Sequence, residues 1–108
     1  LMPAAFPDPR SHHWDALIQA RAIENLLYVA AVNRVGSSFD GKTYFGHSQL
    51  MDPWGIRPTR INSEERVVHE IGNTSAVKSA RSQLTCFEDR RPEVYDRVEW
   101  FRHGTTVK

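Results

Sequence analysis

The sequence of 108 residues has little cysteine, little excess charge and no long apolar run. Its single cysteine, Cys86, excludes an internal disulfide and a cysteine metal cluster, and indicates a reducing compartment, the cytoplasm. No apolar run approaches the roughly 18 residues that a membrane span needs, and no segment has the layout of a signal peptide. The chain contains 14 Lys and Arg and 13 Asp and Glu, which gives a formal net charge of +1. This balance predicts neither a nucleic-acid partner nor a membrane partner.

What is present fits a single domain over residues 1–108, without repeats. Three prolines before residue 10 predict an irregular loop. The first residues, LMPAAFPDP, are typical of the end of a secondary-structure element that starts before residue 1. We therefore expect a piece of a longer protein, whose remainder completes the core.

The best helix signal begins at Ser11, a good N-cap, and predicts a helix over 12–25. At 100° per residue its apolar side chains cover two arcs, which predicts a helix packed on more than one side. One arc contains Trp14, Leu17, Ile18 and Ala22, and the other contains Ala16, Ala20 and Ile23.

Shorter patterns follow this helix. We predict, in order, a buried strand over 26–32, a strand over 43–51, a tight turn over 52–55, an edge strand over 56–61, a strand over 66–71 and a helix from Asn73 or Thr74 to Leu84. From Thr85 onward the chain is charged and aromatic without a period. Residues 86–108 are therefore predicted to form an extended tail that packs on a partner surface.

Few side chains in these predicted elements suggest a catalytic or metal-binding role. His12 and His13 point about 100° apart on a helix and cannot chelate one metal together. Cys86 follows a helix C-terminus, where the dipole disfavours a thiolate, and no neighbour supplies a base. Ser48 lacks the following glycine of a nucleophile elbow. Composition and spacing alone therefore assign no catalytic residue and no metal site.

Two charged groups have structural interpretations. Arg21 and Glu24 are three residues apart on the predicted helix and can pair. Between two apolar arcs, such a pair is more typical of a fixed local geometry than of catalysis. Arg90 and Arg91, beside Asp89 and Glu93, indicate an ion-paired tail or a subunit contact.

Several motifs in sequence resemble the nitrilase (carbon–nitrogen hydrolase) superfamily. Residues 13–29 resemble its HW..L..ARAIEN..YV segment, and residues 33–55 resemble its NRVG, G.S and DP.G run. Residues 89–95 resemble its DRRP.LY close. PAAF, GHS and DPWG are similar to omega-amidase and deaminated-glutathione amidase members. The similarity covers about residues 3–95, nearly the whole chain.

This resemblance implies an α/β fold, the C-terminal part of a four-layer α-β-β-α sandwich. It implies hydrolysis of a non-peptide C–N bond, the amide of a small carboxylic acid, by a Glu–Lys–Cys triad through a thioester, with no metal and no other cofactor. In the family all three triad residues lie upstream of such a segment. We therefore expect no catalytic residue in this chain, and no activity from the chain alone.

The resemblance also implies supporting roles. Ala5, Phe6 and Pro7 match the loop that walls the substrate pocket in the family. The helix with Trp14, Arg21, Glu24 and Asn25 resembles one that packs against its twin, which predicts a homo-oligomer formed through this helix.

Two alternatives stay open. NRVG is also found in carbamoyl-cleaving relatives, and the acidic Ile-Asp-Leu run common before the last helix is missing, so the substrate could be an amide or a carbamoyl compound. The other alternative is a non-catalytic interaction module built from this segment.

Overall fold

The computed structural model describes residues 1–60 and 62–95. In this part of the chain, helix α1 follows the first strand, five further strands come next, and two helices follow them. They are β1 Met2–Ala4, α1 Ser11–Asn25, β2 Val29–Asn33, β3 Val35–Ser37, β4 Thr43–Phe45, β5 Gln49–Met51, β6 Thr59–Arg60, α2 Thr74–Gln83 and α3 Pro92–Tyr95.

The main sheet has the strand order β1-β2-β5-β6, and β3 and β4 form a separate hairpin. β1 runs parallel to β2, while β5 and β6 are antiparallel to their neighbours. The expectation of an irregular loop before residue 10 is therefore wrong for Met2–Ala4. Pro3 is tolerated there because β1 lies at the end of the described sheet, where one side of the strand needs no ladder donor.

Helix α1 begins one residue earlier than predicted. Arg10 is the N-cap and makes no side-chain capping bond, so Ser11 is the first helical residue and not the cap. The helix ends at Asn25, and the C-cap residue Leu26 adopts a left-handed conformation with φ of 47°. Backbone bonds from Leu26 and Leu27 return to Ile23 and Ala22. Because this cap occupies Leu26, strand β2 begins only at Val29 and not at residue 26 as predicted.

The predicted strand over 43–51 is two strands in two sheets. Gly46 and His47 both have positive φ values, 71° and 56°, and turn the chain between β4 and β5. β4 pairs with β3, while β5 joins β2 in the main sheet. Apolar residues at both ends of the segment gave a strand pattern, but the pattern does not show a change of sheet. In the loop of the β3–β4 hairpin, Lys42 and the Ser38 hydroxyl hold the pKa of Asp40 below its ordinary value.

The turn over 52–55 is confirmed. The Gly55 amide donates to the Asp52 carbonyl at 3.0 Å, and the Asp52 carboxylate accepts from the Trp54 and Ile56 amides at 2.9 and 2.8 Å. The return strand is shorter than predicted, because β6 begins only after Pro58, which cannot donate to the ladder.

The predicted strand over 66–71 is wrong. Residues 64–73 have no regular structure, and Val67 and Ile71 are 81% and 96% exposed. Apolar content alone does not make a strand when no neighbouring strand accepts its hydrogen bonds. The following helix is confirmed as α2, and the Asn73 side chain caps it by accepting from the Ser75 amide at 3.0 Å.

One face of the main sheet packs on α1 and forms the core. The buried residues of this core cluster are Trp14, Ile18, Ala22, Val29, Ala31, Phe45 and Met51. On β2, Ala30 and Val32 alternate with these buried positions and face the other way, and Val32 is half-exposed. The described chain thus covers one face of its sheet with a helix and leaves most of the other face open.

The tail is described only as far as Tyr95. Residues 86–95 are exposed, and Pro92–Tyr95 form one helical turn, α3. Residues 96–108 of the predicted tail lie outside the described residues, so its packing on a partner stays a prediction. In the described residues, no helix has the length and apolar character to cross a membrane.

Candidate functional site

A buried asparagine at the end of β2 connects three separate segments of the chain. The Asn33 side chain accepts from the Phe6 amide at 2.7 Å and donates to the carbonyls of Phe6 and Gly46 at 3.1 and 2.8 Å. The Ser48 hydroxyl accepts from the backbone N–H of Asn33 at 3.0 Å. Since Asn33 is only 5% exposed, these bonds satisfy an amide that would otherwise be costly to bury. We call Asn33 and these bonds the Asn33 clamp.

The clamp fixes the loop that follows β1, and with it the Phe6 ring. That ring lies 5.5 Å from the Trp14 ring and 6.2 Å from the Phe45 ring, in a tilted and an edge-on arrangement. Trp14 in turn donates from Nε1 to the His47 carbonyl at 3.0 Å. Phe6 is therefore held through its backbone by Asn33 and through its ring by the edge of the core.

Arg10 covers the Phe6 ring. Its guanidinium carbon lies 5.1 Å from the ring centroid, within the range of a cation–π contact. Arg10 itself is exposed, at the start of α1. The loop over residues 5–10 thus presents a positive charge on an aromatic support.

The three predicted pocket-wall residues differ in their surroundings. Ala5 is exposed, whereas Phe6 and Pro7 are half-buried. Pro7 forms an isolated antiparallel bridge with Tyr44 of the β3–β4 hairpin. Phe6 and Pro7 are therefore fixed by contacts, but their role as a pocket wall stays a prediction.

Two recesses open elsewhere on the described residues. An apolar groove of about 470 Å³ lies over the sheet face opposite α1, with Ala30, Val32 and Leu50 in its floor. A more polar recess of about 350 Å³ lies at the end of β2, beside Asn33, Arg34 and Ser48. Neither recess is lined by residues 5–7.

Of the predicted interface residues on α1, Arg21 and Glu24 are exposed, whereas Trp14 is buried. Arg21 and Glu24 form the predicted ion pair, and both side chains are about half exposed. The Asn25 side chain donates to the Arg21 carbonyl at 3.0 Å. Leu17 and Ile23 are 49% and 45% exposed, whereas Trp14 is buried in the core and lies on the inner side. The second apolar arc, Ala16, Ala20 and Ile23, is thus exposed in the single chain, and so is Leu17 of the first arc.

A polar group ties α1 to β5 on the inner side. Gln49, which is 5% exposed, donates to the Asp15 carboxylate at 3.3 Å, and Arg57 lies 3.8 Å from the same oxygen. Gln19 donates to the Gly55 carbonyl at 3.0 Å. These contacts orient the helix over the sheet and offer no nucleophile.

The weaker sequence candidates are not brought together into a site. The His12 and His13 rings lie 4.1 Å apart on the exposed start of α1, and the described residues contain no group of three metal-ligating side chains. Cys86 is exposed, three residues beyond the end of α2, and lines neither recess.

Sequence reasoning missed Asn33 as an organising residue. Its partners are 13, 15 and 27 residues away in sequence, so no local spacing connects them. The available signal was a polar residue directly after a buried apolar run, since a buried amide needs partners from elsewhere in the chain.

Comparisons with known proteins point to one family. A family model described as carbon-nitrogen hydrolase matches residues 6–78. The chain is 38% identical over 92 residues to the 2-oxoglutaramate amidase of Bacillus subtilis (strain 168), covering 85% of this chain and 35% of that protein. It is 40% identical over 91 residues to the omega-amidase YafV of Escherichia coli (strain K12), covering 82% and 35%.

A solved structure to which the chain is similar belongs to the same superfamily as these relatives. XC1258 from Xanthomonas campestris, described as a CN-hydrolase superfamily protein with an arsenic adduct in the active site, matches with a TM-score of 0.77 and 36% identity. The match covers 82% of this chain and 33% of that one. The chain thus spans about a third of the length of the relatives it matches.

Proposed function

The chain belongs to the carbon-nitrogen hydrolase family, and from this premise we propose that it is part of an amidase that cleaves the amide of a small carboxylic acid. The observation that carries the proposal is the 38% identity, over 85% of the chain, to a 2-oxoglutaramate amidase. The predicted resemblance to omega-amidase members of the nitrilase superfamily and the predicted α/β fold are both confirmed.

In this proposal the reacting cysteine lies outside residues 1–108. It attacks the amide carbon, ammonia leaves, and water hydrolyses the resulting thioester to the acid. Cys86 is a poor candidate for this role, because it is exposed in a turn after α2 and lines neither recess. Its exposed thiol also supports our placement of the protein in the reducing cytoplasm.

The described residues then act as the scaffold of the site. The Asn33 clamp holds the loop over residues 5–7, which supports our proposal that Phe6 walls the substrate pocket. The apolar groove over Ala30, Val32 and Leu50 supports a core that is completed by residues outside the chain, since uncovered apolar patches of this kind are unusual on a monomer.

A second copy of the protein is the proposed partner of α1. Its outer side exposes Leu17 and Ala20 beside the Arg21–Glu24 ion pair, an apolar patch with a polar border. This composition is typical of a subunit interface. We therefore propose a homo-oligomer formed through α1.

Ammonia release from a panel of small amides and N-carbamoyl amino acids tests the proposed reaction. We expect the complete enzyme that contains this chain to hydrolyse the amides, and the purified chain of residues 1–108 to release no ammonia. A complete enzyme that cleaves only the carbamoyl compounds would replace the amide assignment with the carbamoyl one. Clear ammonia release from the purified chain would contradict the absence of the nucleophile. A complete protein that cleaves neither class would favour an interaction module.

A further inference from the structure

We propose that the Asp40–Gly41 bond is a modification site, at which the chain forms isoaspartate through a cyclic imide, and that contacts from Ser38 and Lys42 retard this reaction. The chemistry needs only water and is independent of the proposed amidase reaction. It is supported by the residues at this bond, by the open loop around them and by the contacts of the Asp40 carboxylate.

The Asp40–Gly41 pair lies in the loop that joins β3 to β4. It is the only place in the sequence where glycine follows an aspartate or an asparagine. Glycine has no Cβ to hinder an approach to its backbone nitrogen, and even a Cβ built on Gly41 has nothing within 4 Å. The Asp40 side chain is 40% exposed, and Phe39 beside it is fully exposed. Water therefore reaches this bond.

The reaction is an internal acyl substitution followed by hydrolysis. The Gly41 nitrogen attacks the side-chain carboxyl carbon of Asp40, a C–N bond forms, and the carboxyl OH leaves as water with the proton of that nitrogen. Water then opens the imide at the backbone carbonyl of Asp40, which breaks the original peptide bond. The backbone now passes through the side-chain carbon, the α-carboxylate is free, and no atom is gained or lost overall.

The other aspartates among the described residues are less suited to this reaction. Asp8 and Asp52 precede proline, whose nitrogen carries no hydrogen to lose. Asp15 lies inside α1, where the backbone is held by helical hydrogen bonds. Asp89 precedes an arginine, whose side chain crowds the attacking nitrogen. We therefore expect isoaspartate to form first at Asp40.

Both reacting groups of this bond are occupied in the folded loop. Lys42 Nζ donates to the Asp40 carboxylate at 2.6 Å, and the Ser38 hydroxyl donates to its other oxygen. The Gly41 N–H donates to the Ser38 carbonyl at 3.0 Å, and the Ser38 N–H donates to the Lys42 carbonyl at 2.9 Å. The carboxylate is thus fixed on Lys42 and Ser38, and the attacking nitrogen is held in the turn.

The charge of Lys42 adds a chemical reason to this geometric one. Lys42 and the Ser38 hydroxyl hold the pKa of the Asp40 carboxyl below its ordinary value, because both stabilise the ionised form. An ionised carboxylate is a poor target for a nucleophile, since its oxygen cannot leave as water without a proton. Loss of the Lys42 charge should therefore expose Asp40 to attack.

The change would occur beside contacts that hold the hairpin in place. The Asp8 N–H donates to the Thr43 carbonyl at 3.0 Å, and Pro7 forms a bridge with Tyr44. Isoaspartate lengthens the loop backbone by one carbon and moves the carboxylate relative to Lys42. The modification therefore acts on the end of the hairpin that contacts the loop after β1.

The test follows isoaspartate in the complete enzyme during storage in warm, neutral buffer. Methylation by protein isoaspartyl methyltransferase measures the amount, and trypsin locates it, since cleavage after Arg34 and Lys42 releases residues 35–42. We expect the product in this peptide, and we expect it to form more slowly in the folded enzyme than in a synthetic peptide of residues 35–42. Storage in heavy-oxygen water should add one labelled oxygen atom to each isoaspartate.

Variants of the loop separate the site from its protection. Asp40→Glu should abolish the methylation, because its longer side chain does not close the same ring. Lys42→Gln should raise the rate severalfold, whereas Lys42→Arg, which keeps the charge, should stay close to the wild type. Equal rates in the wild type, the Lys42→Gln enzyme and the peptide would overturn the retarding role of the contacts. Undiminished methylation of the Asp40→Glu enzyme, or none of the Lys42→Gln enzyme after the peptide has reacted, would overturn the site.

Discussion

At the scale of single residues, the chain is organised by bonds that its local sequence does not reveal. The Arg21–Glu24 pair follows from a spacing of three on a helix and is present in the structure. The Asn33 clamp, by contrast, joins Asn33 to Phe6 and Gly46, which lie 27 and 13 residues away in sequence. It therefore depends on the tertiary fold. Its geometry also matters more, because a buried amide without partners is far more costly than a lost surface ion pair.

Replacement of Asn33 by aspartate tests the clamp. Aspartate can still accept from the Phe6 amide, but it cannot donate to the carbonyls of Phe6 and Gly46 when it is ionised, and it places a charge in a buried position. We expect Asn33→Asp to lower the free energy of unfolding of the complete enzyme by about 3 kcal/mol, measured by urea unfolding near neutral pH.

Asn73→Asp is the matched control for this variant. Among the described residues, the Asn73 side chain acts only as an acceptor, at the start of α2, where aspartate caps as well as asparagine. We expect this control to change the free energy of unfolding by less than about 0.5 kcal/mol. Equal effects of the two substitutions would show that the donor bonds of Asn33 contribute nothing.

At the scale of elements, the turn after β5 determines how closely the sheet approaches α1. Gly55 has φ of 76°, and a Cβ built on it lies 2.6 Å from the Ile23 side chain. The glycine is therefore needed twice, once for its backbone conformation and once for the approach of the helix. Gly41 has a similar φ of 82° with nothing within 4 Å of its Cβ position.

This difference between the two glycines predicts different costs. Gly41→Ala should lower the free energy of unfolding by about 1 kcal/mol, because only the left-handed backbone conformation is penalised. Gly55→Ala should cost a further 1–3 kcal/mol or so, because Ile23 must move or the helix must shift. Thermal and urea unfolding of both variants in the complete enzyme measure this difference. A Gly55→Ala variant as stable as Gly41→Ala would mean that Ile23 adapts without cost.

Elements were predicted best where their signals are local. Helix α2, with its Asn73 cap, and the turn over residues 52–55 depend on bonds within a few residues, and both are confirmed. The segment over 43–51 was predicted as one strand because its apolar ends do not show that Gly46 and His47 transfer the chain to another sheet. The segment over 66–71 has strand composition, but it pairs with no strand among the described residues.

At the scale of the whole molecule, two apolar surfaces of the described chain have no partner within it. One is the sheet face with Ala30, Val32 and Leu50, and the other is the outer side of α1 with Leu17 and Ala20. We assign the first to the remainder of the enzyme and the second to a second copy. The two assignments can be distinguished by experiment, since only the association with a second copy depends on protein concentration.

A charge on the outer side of α1 tests the proposed homo-oligomer. Leu17→Glu should reduce the mass of the complete enzyme in sedimentation equilibrium toward that of a monomer, because a buried unpaired carboxylate opposes association. Val67→Glu, at another exposed apolar residue away from α1, should leave the mass unchanged. An unchanged mass in the Leu17→Glu protein would exclude this face as the subunit contact.

The sequence by itself determined the family, helices α1 and α2 and the tight turn over residues 52–55. These conclusions depend on residue types at short spacings, where each bond joins near neighbours in the chain. Only the tertiary structure decided that Asn33 holds Phe6, that residues 43–51 divide between two sheets, and that Arg10 lies over the Phe6 ring. Each of these depends on which distant segments meet, and that is set by the packing of the core as a whole.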